Sequence, residues 1–301
     1  MARAWIDDER RRETMPILQT PLDAVRRRRR SPLPGLGLTL GVTVTFVTLI
    51  VLLPLAGLGW QLAQLEVSDY LFVMSDDRTL AALRVTITAA VLATAVNGAF
   101  GLLLAWVLVR YPFPGRAALD ALVDLPFALP TSVAGIALVA LYAEEGWIGS
   151  LLAPLGLQVA YSWLGIVVAM TFTSVPFAVR AIQPLIEELD PAEEAAATTL
   201  GATRWQTFRA ITLPQLMPGI LTGTGLSFVR SLGEFGAVIF IAGNIPYETE
   251  IASLLIMIRL DEFDYPAAAA IAGTMLAVSL VLLIAINVAQ TRLYRRFERG
   301  T

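Results

Sequence analysis

The stretch that decides the reading is LDPAEEAAATTLGATRWQTFRAITLP, residues 189–214. Asp190 carries a short carboxylate suited to accept from a first-turn N–H, and Pro191 has its φ preset for the first helical position. Glu193, three residues on, completes the sequence pattern of a capping box. An Ala-rich run follows, and Gly201 supplies the stop, because glycine enters the left-handed conformation at little cost. A second helix is expected at once, with Thr203 as cap and Gln206 as box partner. Trp205, Phe208 and Ile211 recur at three-residue spacing on one face, and Pro214 is expected to end the helix. Two capped short helices joined by one glycine turn specify more than a connector needs. The segment reads as an interaction surface, where Ala195, Ala196 and Ala197 admit another backbone closely. A plain surface hairpin is the alternative.

The chain around it is written for lipid. Of 301 residues 56% are hydrophobic and 16% charged, and the mean hydropathy is +0.68. Soluble domains carry about 25% charged residues. A bilayer core of roughly 30 Å takes about 20 apolar residues as helix. Six segments qualify, at about 36–60, 80–109, 119–142, 159–186, 215–243 and 267–290. The fold class expected is an all-α membrane protein of about six transmembrane helices. Its parts are an Arg-rich tail (1–35), a first helix with its outer loop (36–78), a core (79–291) holding the hairpin at 189–214, and a short tail (292–301).

Arginine placement sets the orientation. The tail before the first span holds the run at 26–30, and the loops and tail on the same side add Arg110, Arg116, Arg204, Arg209, Arg292, Arg295, Arg296 and Arg299. The opposite loops hold Arg78 and Arg259 among many carboxylates, while Arg84, Arg180 and Arg230 fall within spans. By the positive-inside rule both termini and the hairpin face the cytoplasm.

Absences narrow the chemistry. The chain has no Cys, no His and no Lys. That excludes disulfides, thiolate or H-E-x-x-H metal sites and Ser-His-Asp catalysis. A P-loop needs its Lys to reach the phosphates, so a standard ATP site is excluded too. An intramembrane enzyme would need paired carboxylates in one cavity, and the acidic pairs lie mostly in loops. A self-sufficient secondary transporter would be expected to show an internal repeat with matched broken helices, and none is visible.

Within the spans, Arg230 and Glu234 stand one helical turn apart in the fifth. Ionisable groups there face a cavity, a partner or each other. Two readings stay open: a transient site for a dianion on a path, or a mutual i,i+4 ion pair. Pro126 and Pro130 interrupt the third span beside Thr131 and Ser132, as a gating hinge or a static kink. Gly219, Gly223 and Gly225 read as close packing. Asp124 is placed to pair with an arginine such as Arg180. Segment 251–260 is too short to cross and reads as interfacial or re-entrant.

The hairpin resembles the EAA loop of ABC-importer permeases, E-A-A, three residues, G, nine residues, I-x-L-P. Counting from Gly201, Ile211, Leu213 and Pro214 fall in register, while the family's Glu position is Ala195 and Glu194 stands one residue early. The segments at 122–142, 146–156, 227–246 and 250–272 are similar to the T-subunit branch of the sulfate/thiosulfate importers, with molybdate/tungstate permeases the nearest alternative. The resemblance implies a type-I importer permease fold without catalytic residues, cofactor or metal of its own. It implies a coupling loop of Glu193, Glu194, Ala195, Ala196, Gly201, Trp205, Ile211 and Pro214. Arg230, Glu234, Thr131 and Ser132 are the candidate path residues. The partners implied are a W-type sister permease or a second copy, two ATPase subunits binding ATP and Mg, and a periplasmic or lipid-anchored sulfate-binding protein. Membrane lipid surrounds the chain, and no nucleic acid is expected.

Overall fold

The computed structural model describes residues 36–298; the Arg-rich tail at 1–35 and residues 299–301, with Arg299, lie outside the described residues. All regular structure among the described residues is helical. One compact unit extends to Ala56 and a second begins at Gly57, and each is described by itself.

Helix α1 runs Leu36–Val47, widens into a π turn at Thr48–Leu52 and continues as Leu53–Ala63. A short α2, Val67–Ser75, leads to α3, Asp77–Arg110, capped by Asp76, whose side chain accepts from the Thr79 N–H. Then come α4 (Arg116–Val123), α5 (Leu125–Ala128), α6 (Thr131–Tyr142) and α7 (Gly149–Leu152). Helix α8 is Trp163–Glu187 and α9 is Pro191–Thr199. Helix α10 comprises Arg204–Thr207, a π turn at Phe208–Thr212 and Leu213–Leu232. The chain closes with α11 (Val238–Ile241), α12 (Ala252–Asp261) and α13 (Tyr265–Glu298).

Among the described residues, four stretches are long and apolar enough to cross a membrane unbroken: Gly37–Ala63, Asp77–Arg110, Trp163–Glu187 and Tyr265–Arg292. The other two expected spans are segmented. In the third, Pro126 sits in the first turn of α5 and Pro130 is the residue before α6, with φ −55 and ψ 131. The prolines therefore start new helices instead of kinking one, as their missing N–H allows at a first turn. In the fifth, α10 stops at Leu232 and residues 233–237 separate it from α11. The expected tail from 292 continues α13 to Glu298.

Helix α8 is the most buried of the four long helices and packs between α3 and α10. Lipid is as apolar as leucine, so close packing and internal hydrogen bonds must hold such helices together. The sequence supplies small residues where they meet. Ala178 of α8 is pinched by glycines on both sides. A Cβ on Gly101 of α3 would lie 2.7 Å from the Ala178 Cβ, and one on Gly223 of α10 would lie 2.9 Å from its Cα. Gly219 meets the Ala181 carbonyl in the same way, which agrees with the packing reading of these glycines.

Polar groups in this core are tied to one another. Asn97 of α3 donates to Ser174 Oγ of α8 at 2.8 Å and to Ser227 Oγ of α10 at 2.9 Å. Ser174 and Ser231 hydroxyls lie 3.1 Å apart. Helix α12 is not lipid-facing throughout: Ala252, Leu254 and Leu255 are buried, and the Ala252 N–H donates to Thr86 Oγ1 of α3.

Candidate functional site

The hairpin forms as its capping residues dictate, with two differences. Gly201 takes φ +85. Its N–H reaches the Thr198 carbonyl and the Ala202 N–H reaches that of Ala197, so the last carbonyls of α9 are satisfied by the six-residue closure glycine favours. At the second helix, Thr203 Oγ1 accepts from the Gln206 N–H and the Gln206 side chain accepts from the Thr203 N–H, a complete capping box. At the first helix, however, Asp190 accepts from the Ala192 N–H, and the expected Glu193 partner is turned away to accept from the Gln215 side chain of α10. Nor does Pro214 end the second helix. The preceding turn widens so that the Leu213 N–H bonds to the Phe208 carbonyl, one residue further back than an α-helix allows. That extra width accommodates the proline ring, and the chain runs unbroken into the fifth span. The Leu53–Pro54 pair after the π turn of α1 repeats the device, with the Leu53 N–H bonded to the Thr48 carbonyl.

The hairpin is fastened to the end of α3. Glu194 takes both terminal nitrogens of Arg110, with Nη2–Oε1 at 2.6 Å. The Arg110 guanidinium also lies over the Trp106 ring, 5.1 Å from its centroid. Trp106 meets Phe208 edge-on at 5.7 Å, and Phe208 stacks with Trp205 at 5.7 Å. Trp205 is 67% exposed and Leu200, in the turn, 89% exposed. Two large apolar side chains thus stand uncovered on the hairpin, while Glu194, Phe208 and Glu193 tie it to α3 and α10. Ala197 is buried beneath α9, whereas Ala195 and Ala196 face outward. Ile211 is half-buried within the π turn.

The intramembrane candidates gather at the break after α10. Glu234 is not in the helix with Arg230 but beyond its end, buried, with its carboxylate accepting from the Ala237 N–H at 3.0 Å. Arg230 reaches it at 2.6 Å, so of the two readings the geometry is that of the mutual pair. Ser253 of α12 donates to the Glu234 carbonyl. The break lies against the first turn of α6: a Cβ on Gly236 would overlap Thr131, and Ser132 N lies next to it. Arg230, Glu234, Thr131 and Ser132 therefore surround one interruption in the helices. Near the other end of α8, Arg180 forks onto Asp124 at 2.9 and 2.6 Å and reaches Asp120 at 2.7 Å, as expected for Asp124 and with a second carboxylate besides.

Residues 97–300 match the family described as binding-protein-dependent transport system inner membrane component. The chain belongs to that family. It is accordingly an inner-membrane protein, and the family match takes in everything from mid-α3 onward, the hairpin included. The sulfate transport system permease protein CysT of Escherichia coli is 57% identical over 267 residues, 89% of this chain and 96% of that protein. The protein of the same description in Synechocystis is 48% identical, covering 83% and 87%. Among solved structures, a bacterial ABC transporter involved in import of the acidic polysaccharide alginate superposes with a TM-score of 0.71 over 85% of this chain and 95% of that one. At 22% identity that likeness is one of fold, the type-I ABC importer permease fold.

Family membership gives the hairpin its setting, and the structure adds residues that sequence reasoning passed over. Arg110 read as a topology determinant, yet it anchors Glu194. Its spacing of four from Trp106 was a visible signal, since such residues share a helix face. Phe208 was visible on the face it shares with Trp205 and Ile211, whereas Gln215 and the pairing of Asp120 carried no signal that singled them out.

Proposed function

We propose that this chain is the membrane permease subunit of an ATP-driven ABC importer taking up sulfate and thiosulfate. The observation that carries it is the 57% identity to the Escherichia coli sulfate permease across 96% of that protein. A fold likeness alone would not reach the substrate, because one fold serves many cargoes. In this reading the chain hydrolyses nothing itself. Two ATPase subunits hold ATP and Mg, a W-type permease or a second copy completes the pore, and a periplasmic or lipid-anchored sulfate-binding protein docks opposite. The arginine distribution puts both termini and the hairpin on the ATPase side. The exposed Trp205 and Leu200 meet the ATPase, and the Glu194–Arg110 fork passes its movement to α3 as a rigid-body displacement.

The test is to purify the complex with its ATPase and sister permease and measure ATP hydrolysis stimulated by the loaded binding protein. Sulfate-dependent stimulation supports the proposal. Stimulation by molybdate alone would keep the permease and change the cargo, and a chain that binds no ATPase would refute both.

A further inference from the structure

Three arginines fall within the spans, and two are committed: Arg180 to Asp120 and Asp124, and Arg230 to Glu234. Arg84 of α3 has no carboxylate within ion-pair distance and no side-chain hydrogen bond among the described residues. It lies seven residues from the start of α3, about 10 Å along the helix. There it lines a cavity of about 450 Å³ with Thr88, Trp163, Tyr247 and Glu248.

Three of the lining side chains bring hydrogen-bond donors. The guanidinium offers five N–H donors and no acceptor, the Trp163 indole offers a donor only, and the Tyr247 hydroxyl donates as readily as it accepts. No protein group takes a hydrogen bond from any of the three among the described residues. Thr88 already gives its proton to the Arg84 and Val85 carbonyls. Glu248 contributes the only carboxylate lining the cavity, too far from Arg84 to pair. Arg84 and Tyr247 are exposed to the cavity mouth, and three donors without a protein acceptor lining one cavity, an arginine among them, fit an oxyanion.

The backbone there is held in place at a cost. Tyr247 adopts φ +70 and Asn244 φ +56, a region bulky side chains avoid. Such conformations persist only where neighbours impose them. The neighbours are identifiable. Thr249 Oγ1 accepts from the Ile245 N–H, and the N–H groups of Glu248, Thr249 and Glu250 converge on the Ile245 carbonyl. Buried Glu250 is forked by Arg78 at 2.8 and 2.7 Å, two turns from Arg84 on the same helix. The fork fixes the turn to α3, and so fixes Tyr247 beside Arg84.

We propose that Arg84, Trp163 and Tyr247 form a tetrahedral-oxyanion site at the end of α3 remote from the hairpin. Two sources share that chemistry, the transported sulfate on its way inward and the phosphate of a phospholipid headgroup. The first source rests on the sulfate-uptake reading; the second does not. Glu248 keeps the site weak, as a conduction step needs if an anion is to leave as well as enter.

The experiment uses the whole complex in proteoliposomes, with Arg84→Gln, Arg84→Lys and, in case the first disturbs folding, Tyr247→Phe, which deletes one donor and keeps the ring. Two quantities are read: labelled sulfate imported per ATP hydrolysed, and phospholipid phosphorus retained per purified complex. A fall of roughly tenfold in sulfate per ATP for Arg84→Gln, the loss of one charge-assisted hydrogen bond, assigns the site to the transported anion. Partial recovery in Arg84→Lys and a smaller fall in Tyr247→Phe would support this assignment. Loss of retained lipid with sulfate per ATP unchanged assigns it to a headgroup. Wild type that imports no sulfate, with lipid lost in the variant, leaves the site standing and removes the uptake reading. If neither quantity changes in any variant, the site is overturned.

Discussion

Glu194 and Arg110 are 84 residues apart in sequence and form a two-pronged ion pair, 2.6 Å at its shorter arm, that joins the hairpin to the end of the first core helix. Both side chains are partly exposed, so the pair adds less than about 1 kcal/mol to stability. Its value is geometric: it links movement of the hairpin to α3. Glu194→Gln or Arg110→Gln should leave the melting temperature of the complex nearly unchanged while stimulation of ATP hydrolysis by the loaded binding protein falls several-fold. The charge swap Glu194→Arg with Arg110→Glu should restore part of it. Equal stimulation in all three would show that the fork carries no coupling.

Gly201 is held at φ +85. A side chain there costs about 1–2 kcal/mol, and least for Asn, which tolerates the left-handed region. Gly201→Val should loosen the hairpin and Gly201→Asn should be mild, read as retention of the ATPase subunits on purification. The reverse order would mean the turn is not what fixes the hairpin.

The Arg78–Glu250 pair should be asymmetric. Glu250 is 1% exposed and its partner about a quarter exposed. Arg78→Ala strands a buried carboxylate and is expected to cost about 3–5 kcal/mol. Adding Glu250→Gln should recover most of this. Thermal unfolding of the purified complex measures both, and additive losses would contradict the account.

At the pinch around Ala178, Gly223→Leu must push α8 and α10 apart. Overpacking of this kind costs about 1–3 kcal/mol. Gly37→Leu, which meets nothing within 4 Å, is the control and should be silent in the same melt.

Much of this was legible because it is local. The Thr203–Gln206 box, the Gly201 stop and the Asp190 cap need only a few neighbouring residues, and they form as their side chains dictate, apart from Glu193, which finds a better partner in Gln215. The apolar runs gave the spans because lipid imposes a length. What stayed hidden was non-local or depended on a choice between equal alternatives. Pro126 and Pro130 are as compatible with a kink as with new starts, and the close approach of residues 236 and 237 to α6 is a non-local contact the sequence does not display. Pro214 reads as a terminator until a π turn makes room for it. The break that takes Glu234 out of the Arg230 helix has no strong sequence mark beyond Gly233, and the Glu194–Arg110 fork has only the spacing of Arg110 from Trp106, which does not name Glu194 as the partner.

The most direct test is labelled sulfate accumulation by proteoliposomes holding the complete complex, with ATP enclosed on the ATPase side and loaded binding protein on the other. Wild type and Gly201→Pro are compared, since proline cannot adopt φ +85. The account predicts ATP-dependent accumulation in the wild type and none above the ATP-free control in the variant. Accumulation that proceeds without ATP, or that survives Gly201→Pro undiminished, would contradict it.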